Sequence, residues 1–391
     1  MNIIIITSEP PYPCNSGGRI YTWERIKILK EKKNNIYIYS IDDFEKDEKH
    51  ILEFCESIKF YKRNKSILKN ILNIHKPYTA YSRLSKNMKS DIENDINNYN
   101  IDLIILDMPQ LFLNLPKNVN VPIILTQHNI EYKTFFNISK SSKNIFKKIA
   151  FLFEGIKFKH FENSIYKKNY INTCTFISEK DKVFFEKNNY KIKCELIPLG
   201  YNFNEKNIKK LKKNRIVFTG KMDYQPNIDA VIWFVNNVFT LIEKEINEVE
   251  FYIVGKNPTR DVLKLAKKNV IVTGMVDDVN KYIDESALIV IPLLSGGGVK
   301  IKLLEALGRG NIVVTTKKGT EGTKFQNKKH VLIENNSELF ANKCIDVLKN
   351  RENYVDLVKN SKKIIEEEYS WNSIAEKYNN ILNNLVKDRN E

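Results

Sequence analysis

The stretch 292–310 reads Pro-Leu-Leu-Ser-Gly-Gly-Gly-Val-Lys-Ile-Lys-Leu-Leu-Glu-Ala-Leu-Gly-Arg-Gly and follows the apolar run 287–291. It predicts a strand, a glycine-rich turn and an amphipathic helix that begins with two lysines. Seven of the 14 glycines lie between residues 296 and 322. Glycines let backbone N–H groups approach an anion, and the N-terminus of a helix adds partial positive charge. With Lys300 and Lys302 beside it, this stretch is typical of a pocket for a phosphorylated ligand.

The bulk composition indicates a globular protein. The chain has 391 residues, enough for two domains, with 42% hydrophobic and 28% charged residues. Its longest apolar runs are strand-sized, and the N-terminus enters a strand without the features of a signal peptide. The five cysteines are scattered, so we expect neither a disulfide framework nor a zinc site. A cytoplasmic location is the expectation that follows.

The formal net charge of +16 raises the question of nucleic-acid binding. The basic residues are 54 lysines and only nine arginines, alongside abundant Asn and Ile, which favours a coding bias. Specific nucleic-acid readers depend on arginine forks, and no zinc finger, RNP motif or basic heptad is present. We therefore expect no nucleic-acid partner, although diffuse lysine charge suits anionic lipid headgroups.

Two series of alternating strands and helices organise the chain. Continuous β-branched runs, such as Ile3–Thr7 and Leu103–Leu106, predict strands buried on both faces, hence parallel sheets under helices. A second series starts at Arg215–Thr219, after a lysine-rich break at 201–214. The pattern predicts an α/β protein of two Rossmann-like domains.

The expected domain boundaries follow from that break. Residues 1–199 are expected to form an N-terminal Rossmann-like domain, and residues 200–214 a linker. Residues 215–360 are expected to form a C-terminal Rossmann-like domain. Residues 361–391 read as a helical segment that packs back on the N-terminal domain.

The loop after the first strand is a second candidate anion site. Its residues 8–19 read Ser-Glu-Pro-Pro-Tyr-Pro-Cys-Asn-Ser-Gly-Gly-Arg, and a helix is predicted from Ile20. Gly17 and Gly18 would allow close approach of the backbone to a ligand. An ordinary βα turn is the alternative, and the matching second pocket favours the ligand site.

Taken together, four segments resemble the retaining glycosyltransferases of family 4, which have the GT-B fold. They begin at Pro10, Gln127, Phe218 and Gly296, and the second and third read Gln-His-Asn-Ile-Glu and Phe-Thr-Gly-Lys-Met-Asp-Tyr-Gln-Pro-Asn. Their order covers nearly the whole chain. The resemblance implies two Rossmann-like domains facing across a cleft, with the acceptor on the side of residues 1–199 and the nucleotide-sugar bound by residues 215–360. It also implies transfer of a sugar from that donor with the anomeric configuration retained.

The resemblance implies that cations and backbone N–H groups bind the diphosphate of the donor as it departs. Gly220 and Lys221 match one motif of the family, and Lys302, or less favourably Lys300, would replace a second lysine that Met222–Ala230 lacks. Glu305 matches the second glutamate of a paired motif that binds the donor ribose. The first glutamate is absent, since position 297 is glycine, so the backbone N–H groups of Gly297, Gly298 and Val299 would contact the sugar or phosphates instead.

His128 follows the predicted strand Ile123–Thr126 and so lies at its carboxyl end, where ligands bind in open α/β sheets. It resembles the family histidine that faces the donor sugar, although a structural histidine is the alternative. The acidic pairs Asp42-Asp43 and Asp277-Asp278 have no further ligands nearby in sequence, so turns or caps are favoured over metal. We expect no metal and no cofactor.

The stretch Lys133–Tyr170 is basic and aromatic, and Ile145, Ile149, Leu152, Phe153 and Ile156 make a helical stripe with lysines beside it. A membrane-surface helix and an ordinary core-packing helix both have this pattern, and the second is slightly favoured.

The sequence therefore predicts a cytoplasmic, metal-independent hexosyltransferase, active in the synthesis of polysaccharides or glycoconjugates. Its donor would be UDP- or GDP-linked, and its acceptor a glycan or a lipid-linked molecule at the inner face of the plasma membrane. Two alternatives remain open: a nucleotide-sugar 2-epimerase of the same fold, and a non-catalytic sugar-nucleotide-binding subunit.

Overall fold

The structure is a computed structural model that describes residues 1–66, 76–142, 144–167, 170–188, 190–201 and 211–390. The chain divides into two compact units. The first unit comprises Met1–Pro198 together with Ile374–Glu391, and the second comprises Leu199–Ser373. The division lies one residue before the expected end of the N-terminal domain at 199.

The first unit is built on a parallel sheet of seven strands in the order β3-β2-β1-β4-β5-β6-β7. Its central strands are buried on both faces: Ile3, Ile4, Ile5 and Ile6 have no exposed surface. Such continuous apolar runs suit parallel strands covered by helices. The strands are β1 (Asn2–Thr7), β2 (Asn35–Ile41), β3 (Ser57–Tyr61), β4 (Leu103–Asp107), β5 (Ile123–Gln127), β6 (Thr173–Phe176) and β7 (Lys193–Leu196).

Helices connect these strands, because parallel neighbours require crossovers. A 3₁₀ turn, Pro109–Asn114, follows β4 directly. The helices between the strands are α1 (Gly17–Glu31), α2 (Glu48–Leu52), α3 (Tyr78–Tyr81), α4 (Lys86–Asn98), α5 (Glu131–Ser141), α6 (Ile145–Lys167) and α7 (Glu179–Glu186).

The second unit contains a parallel sheet of six strands in the order β10-β9-β8-β11-β12-β13. Its core includes strand residues such as Val217 and Val290, neither of which is exposed. The strands are β8 (Lys212–Thr219), β9 (Glu250–Val254), β10 (Val270–Gly274), β11 (Ser286–Ile291), β12 (Val313–Thr315) and β13 (Leu332–Ile333).

The helices of the second unit begin with three elements in direct succession after β8. They are α8 (Gln225–Phe234), a π-helical turn (Val235–Phe239) and α9 (Thr240–Glu245). The others are α10 (Arg260–Leu263), α11 (Val279–Glu285), α12 (Ile301–Gly308), α13 (Ser337–Lys349) and α14 (Val355–Tyr369), with a 3₁₀ turn at Arg351–Tyr354.

The chain end belongs to the first unit. Helix α15 spans Trp371–Asn390, and its residues from Ile374 onward group with that unit. The expected helical segment 361–391 is thus two helices, because α14 continues to Tyr369 within the second unit. Most of the expected linker 200–214, residues 202–210, lies outside the described residues, and β8 already begins at Lys212.

No helix in the described ranges is long and apolar enough to cross a bilayer.

Candidate functional site

The loop between β1 and α1 is held by one buried arginine. Arg19 pairs with Glu9 at 3.3 Å and donates to the carbonyls of Pro13 (3.1 Å) and Glu45 (3.0 Å). Ser16 caps α1 by accepting from the backbone N–H of Arg19, so the helix begins at Gly17 rather than at Ile20. The loop is fixed with both glycines in the first turn of the helix.

His128 lies against this turn, at the carboxyl end of β5. An ideal Cβ placed on Gly18 would lie 3.8 Å from the Nδ1 and Cε1 atoms of His128 and 3.7 Å from a carboxylate oxygen of Glu9. Tyr21 packs edge-on against the imidazole, with ring centroids 5.3 Å apart. A histidine and a glycine far apart in sequence are thus brought together as expected for a site at a sheet edge.

Asp107, the last residue of β4, holds the other edge of the imidazole. The distance from His128 Nε2 to Asp107 Oδ1 is 2.8 Å, and both side chains are nearly buried. Burial alone would raise the pKa of Asp107, but Arg25 and His128 beside it lower that pKa well below its usual range. An ionised carboxylate only accepts, so Nε2 carries a proton and donates to Asp107, while Nδ1 lies toward Gly18.

Two further groups complete the surroundings of Asp107. Arg25 Nη2 lies 3.2 Å from Oδ2, and Thr22 donates to the same oxygen at 2.5 Å. Arg25 also donates to Thr126 at 2.8 Å. Because the charge of Asp107 is balanced by a buried guanidinium, the carboxylate is a fixed support for the imidazole.

Backbone strain marks the next residue. Met108 has φ of 95°, a conformation that is costly for a residue with a side chain. Its sulfur accepts from Gln110 at 3.1 Å. Met108, Asp107, Gly18 and His128 line the same small recess at the carboxyl edge of the sheet, so the strain lies at the candidate site.

In the second unit, Asn227 joins two of the predicted phosphate-binding elements. Its Nδ2 donates to the carbonyl of Lys221 at 2.8 Å, and its Oδ1 accepts from Lys302 Nζ at 2.8 Å. An ideal Cβ on Gly220 would lie 2.7 Å from both Asn227 Nδ2 and Lys302 Nζ, and Gly220 has φ of 156°. Only glycine leaves room for the lysine at this turn.

Lys302 is a partly buried cation whose ammonium also lies 3.9 Å from the centroid of the Phe218 ring. Burial lowers the pKa of Lys302 to about 7, against the opposing effect of Glu305. Burial also raises the pKa of Glu305, which lies one turn further along α12. Near neutral pH, a bound anion would therefore favour the charged ammonium form of Lys302.

The glycine-rich loop before α12 is shaped by Lys300. Its Nζ donates to the carbonyls of Gly297 (3.1 Å) and Gly298 (2.5 Å), and its backbone caps the helix. A Cβ on Gly297 would meet nothing within 4 Å, so this part of the loop is open. Val299 packs against the core. Lys300 thus holds the loop by its carbonyls.

The structure brings the predicted residues together in two groups. Gly17, Gly18 and His128 form the group in the first unit. Six of the eight predicted residues of the second unit are linked in two sets: the backbone of Gly220 and Lys221 with Lys302, and Lys300 with Gly297 and Gly298. Val299 lies in the same loop and Glu305 on the same helix, whereas the Lys221 side chain is exposed.

Two supporting residues were not singled out from the sequence. Asn227 ends the segment that begins at Phe218, whereas Asp107 lies outside the four family-like segments and ends a buried strand. A polar residue at the carboxyl end of a predicted strand was the signal available for Asp107. In the described part of the chain, no three His, Cys, Asp or Glu residues are grouped so that they could hold a metal ion.

Residues 213–350 match the model of the family described as Glycosyl transferases group 1. A Klebsiella pneumoniae protein described as an uncharacterized 44.6 kDa protein in cps region is 25% identical over 385 residues, with 94% of this chain and 96% of that protein covered.

Solved structures agree with the fold over nearly the whole chain. A complex of a Staphylococcus aureus TarM variant with fondaparinux, alpha-GlcNAc-glycerol and UDP superposes with a TM-score of 0.66 at 14% identity, covering 98% of this chain and 100% of that one. Sucrose-phosphate synthase from Thermosynechococcus elongatus gives a TM-score of 0.67 at 14% identity, covering 99% and 100%. The prediction of two Rossmann-like domains of the GT-B type is confirmed, and the second unit contains a domain similar to group 1 glycosyl transferases.

Proposed function

We propose that this chain is a retaining glycosyltransferase of family 4 that transfers a hexosyl group from a UDP- or GDP-sugar. The observation that carries the proposal is the meeting of Lys302 with the Gly220–Lys221 turn through Asn227. Cations and N–H donors at a glycine turn are what a departing diphosphate needs. The match of residues 213–350 to group 1 glycosyl transferases supports this assignment.

In the proposed reaction, Lys302 and Lys221 stabilise the negative charge on the leaving nucleoside diphosphate. Backbone N–H groups of Gly297, Gly298 and Val299 bind the same donor, and Glu305 accepts hydrogen bonds from its ribose. His128 accepts a hydrogen bond from a sugar hydroxyl through Nδ1. The enzyme is proposed to need neither metal nor cofactor.

The acceptor is proposed to be a glycan or a lipid-linked molecule used in the synthesis of a cell-surface polysaccharide. The relative in a cps region supports the pathway, and the UDP and alpha-GlcNAc-glycerol bound to TarM support the ligand classes. We place the reaction in the cytoplasm, at the inner face of the plasma membrane.

A panel of nucleotides tests the donor site. The matching nucleotide should stabilise the protein by about 2.7 kcal/mol at ~100 times its Kd, measured as a rise in Tm over protein without ligand. UDP, GDP, ADP and their sugars are compared in wild type and in Lys302→Met. If none of them raises Tm, the donor site is not where we place it.

Product analysis then tests the reaction itself. With the identified donor, a membrane-extracted acceptor and EDTA, NMR should show a new glycosidic bond with the donor's anomeric configuration. Conversion of the donor without any acceptor would instead indicate an epimerase. Binding without any turnover would indicate a non-catalytic subunit.

A further inference from the structure

Helix α6 has two apolar faces, and only one of them is covered. Gly155, Phe158, Phe161 and Ile165 are buried against the first unit. On the α5 side, an ideal Cβ on Gly155 would lie 2.6 Å from the Phe136 ring, so the two helices pack without space for a larger residue. The sequence slightly favoured core packing for a different set of side chains, the stripe that begins at Ile145, and that expectation is wrong because those side chains are exposed.

The second apolar face is exposed to solvent. Its six large side chains are between 41 and 80% exposed, and Phe146 and Phe153 are the most exposed of them. With ~100° per residue, the six project within an arc of ~120° on the side opposite to the buried residues. We call this set the α6 outer face; its residues are Ile145, Phe146, Ile149, Leu152, Phe153 and Ile156.

Lysines border the α6 outer face. Between Ile145 and His160 the helix carries four lysines and one glutamate. On the same helical wheel, Lys148 and Lys159 lie along one side of the face and Lys157 along the other. Glu154 is already engaged, because it accepts from the backbone N–H of Thr79 and pairs with Lys157. The electrostatic surroundings of the face are therefore positive.

We propose that the α6 outer face docks on an anionic lipid bilayer. An apolar stripe with aromatic side chains and flanking lysines suits a helix lying in the interface, its side chains entering the acyl boundary while the lysines reach the headgroups. A second copy of the chain fits less well. A symmetric contact would place these lysines opposite their own copies, in a protein of net charge +16.

This inference deepens the proposed location of the enzyme and names the surface and the partner that the location requires. The proposed function explains why the enzyme would dock on a membrane, and the inference rests on it in that respect alone. Binding to lipid itself needs neither donor nor acceptor. Vesicle binding can therefore fail while nucleotide binding succeeds, and the reverse.

Flotation of the full chain with vesicles of defined composition tests the proposal. The protein should float with phosphatidylglycerol–phosphatidylcholine vesicles, at least tenfold more than with phosphatidylcholine alone. The double variant Phe146→Ser/Phe153→Ser should lose at least tenfold of the bound fraction, and Lys148→Glu/Lys159→Glu should lose a similar amount. Met275→Ser, at an apolar side chain that is 81% exposed in the second unit, is the matched control and should float like wild type.

The Phe153→Trp variant reports insertion through its fluorescence. Its emission should shift to the blue with anionic vesicles and be quenched by brominated lipid. Wild-type flotation by the Phe146→Ser/Phe153→Ser variant, with circular dichroism unchanged, would overturn the proposal. So would a wild-type dimer that becomes monomeric in this variant without any vesicle binding, because the face would then join two copies.

Discussion

Lys302 is stabilised by a carbonyl-type oxygen and an aromatic ring rather than by a full negative charge. Its ammonium contacts Asn227 Oδ1 and the Phe218 ring, and its nearest acidic neighbour, Glu305, has a pKa that burial raises. A diphosphate is the group that would supply the missing charge. Lys302 thus lowers the stability of the free protein, whereas it stabilises the complex once an anion is bound.

This cost gives a prediction for proton uptake. Since burial lowers the pKa of Lys302 to about 7, much of it is neutral at pH 8, and a bound diphosphate should raise that pKa and take up a proton. Calorimetry of nucleotide binding at pH 8, in two buffers of different ionisation enthalpy, should show uptake of up to about one proton. Lys302→Met should show none, and Lys264→Met, at the exposed lysine that directly follows α10, should behave as wild type.

The same substitution should change stability in the opposite direction to binding. Between pH 7 and the usual lysine pKa, the unfolded chain binds more protons than the folded one, so the stability of the folded state rises with pH in this range. The destabilisation by Lys302 is therefore largest at and below neutral pH. Lys302→Met should raise the Tm of the free protein at pH 6 by about 2–4 °C and less at pH 9. A lower Tm at pH 6 would contradict this.

Asp107 should act as a positioning residue for His128. Asp107→Asn can still meet the imidazole, but it can donate to Nε2 and so favours the other tautomer. We expect kcat to fall by ~100-fold, as for other misplaced catalytic groups, with the KM for the donor nearly unchanged and a shifted pH profile. The variant also leaves Arg25 without its counter-ion, which costs about 3–5 kcal/mol.

Thr22→Val is the control for that experiment. It removes the hydrogen bond from Thr22 to Asp107 Oδ2 and keeps the charge of the carboxylate. Its cost should be about 1 kcal/mol, and its pH profile should match wild type. If Asp107→Asn loses stability alone, without a change in the pH profile, the aspartate only supports the fold.

At the scale of elements, runs of β-branched residues predicted the buried strands well. The runs near Ile3, Leu103 and Leu288 agree with the structure to within two residues. Strand β3 has no such run, because Ser-Ile-Lys-Phe-Tyr lies at the edge of the sheet and has only one apolar face. The π-helical turn at Val235–Phe239 has no sequence signal that distinguishes it from the helices around it.

Site residues that belong to a sequence motif could be predicted. Site residues that are defined by their tertiary contacts could not. The glycine loop and His128 follow from the sequence, since they stand at the ends of predicted strands. Asn227 and Asp107 act through partners 75 and 21 residues away. A single sequence does not show that residues so far apart along the chain are in contact.

Helix α6 also carries a buried acid that should affect stability. Burial raises the pKa of Glu162 well above its usual value, and the neighbouring Glu131 adds to this effect. Between the unfolded and the folded pKa the native state binds more protons, so this group lowers stability as pH rises. Glu162→Gln should therefore raise Tm by about 2–4 °C at pH 8 relative to wild type, with a smaller difference at pH 5.

An exposed glutamate provides the comparison for Glu162. Glu186 lies on α7 and pairs with Lys182 at 2.9 Å, so Glu186→Gln should change Tm little at either pH. A Glu162→Gln variant whose Tm falls equally at pH 5 and pH 8 would show that the carboxylate is charged and bound in the folded state.

At the scale of the whole molecule, the end of the chain supports the His128 site. Helix α15 contributes Tyr378, which is 1% exposed, to the first unit. Burial raises the pKa of Tyr378 to about 12 against the opposing effect of Arg25, and Tyr378 adds to the raised pKa of Tyr21. Arg25 in turn balances Asp107, and Tyr21 packs on His128. The last residues of the chain thus complete the packing around a site that forms near its beginning.

Substitution of Tyr378 tests this support. Tyr378→Ala removes a buried aromatic ring and should destabilise the first unit by about 3–5 kcal/mol, measured by urea unfolding. Because the second unit has its own core, its nucleotide-induced rise in Tm should persist in this variant. Tyr378→Phe should cost much less, and Asn384→Ala, on the exposed side of the same helix, should be near neutral. Equal destabilisation by Tyr378→Ala and Asn384→Ala would mean that α15 adds only local helix stability, with no packing of Tyr378 into the core of the first unit.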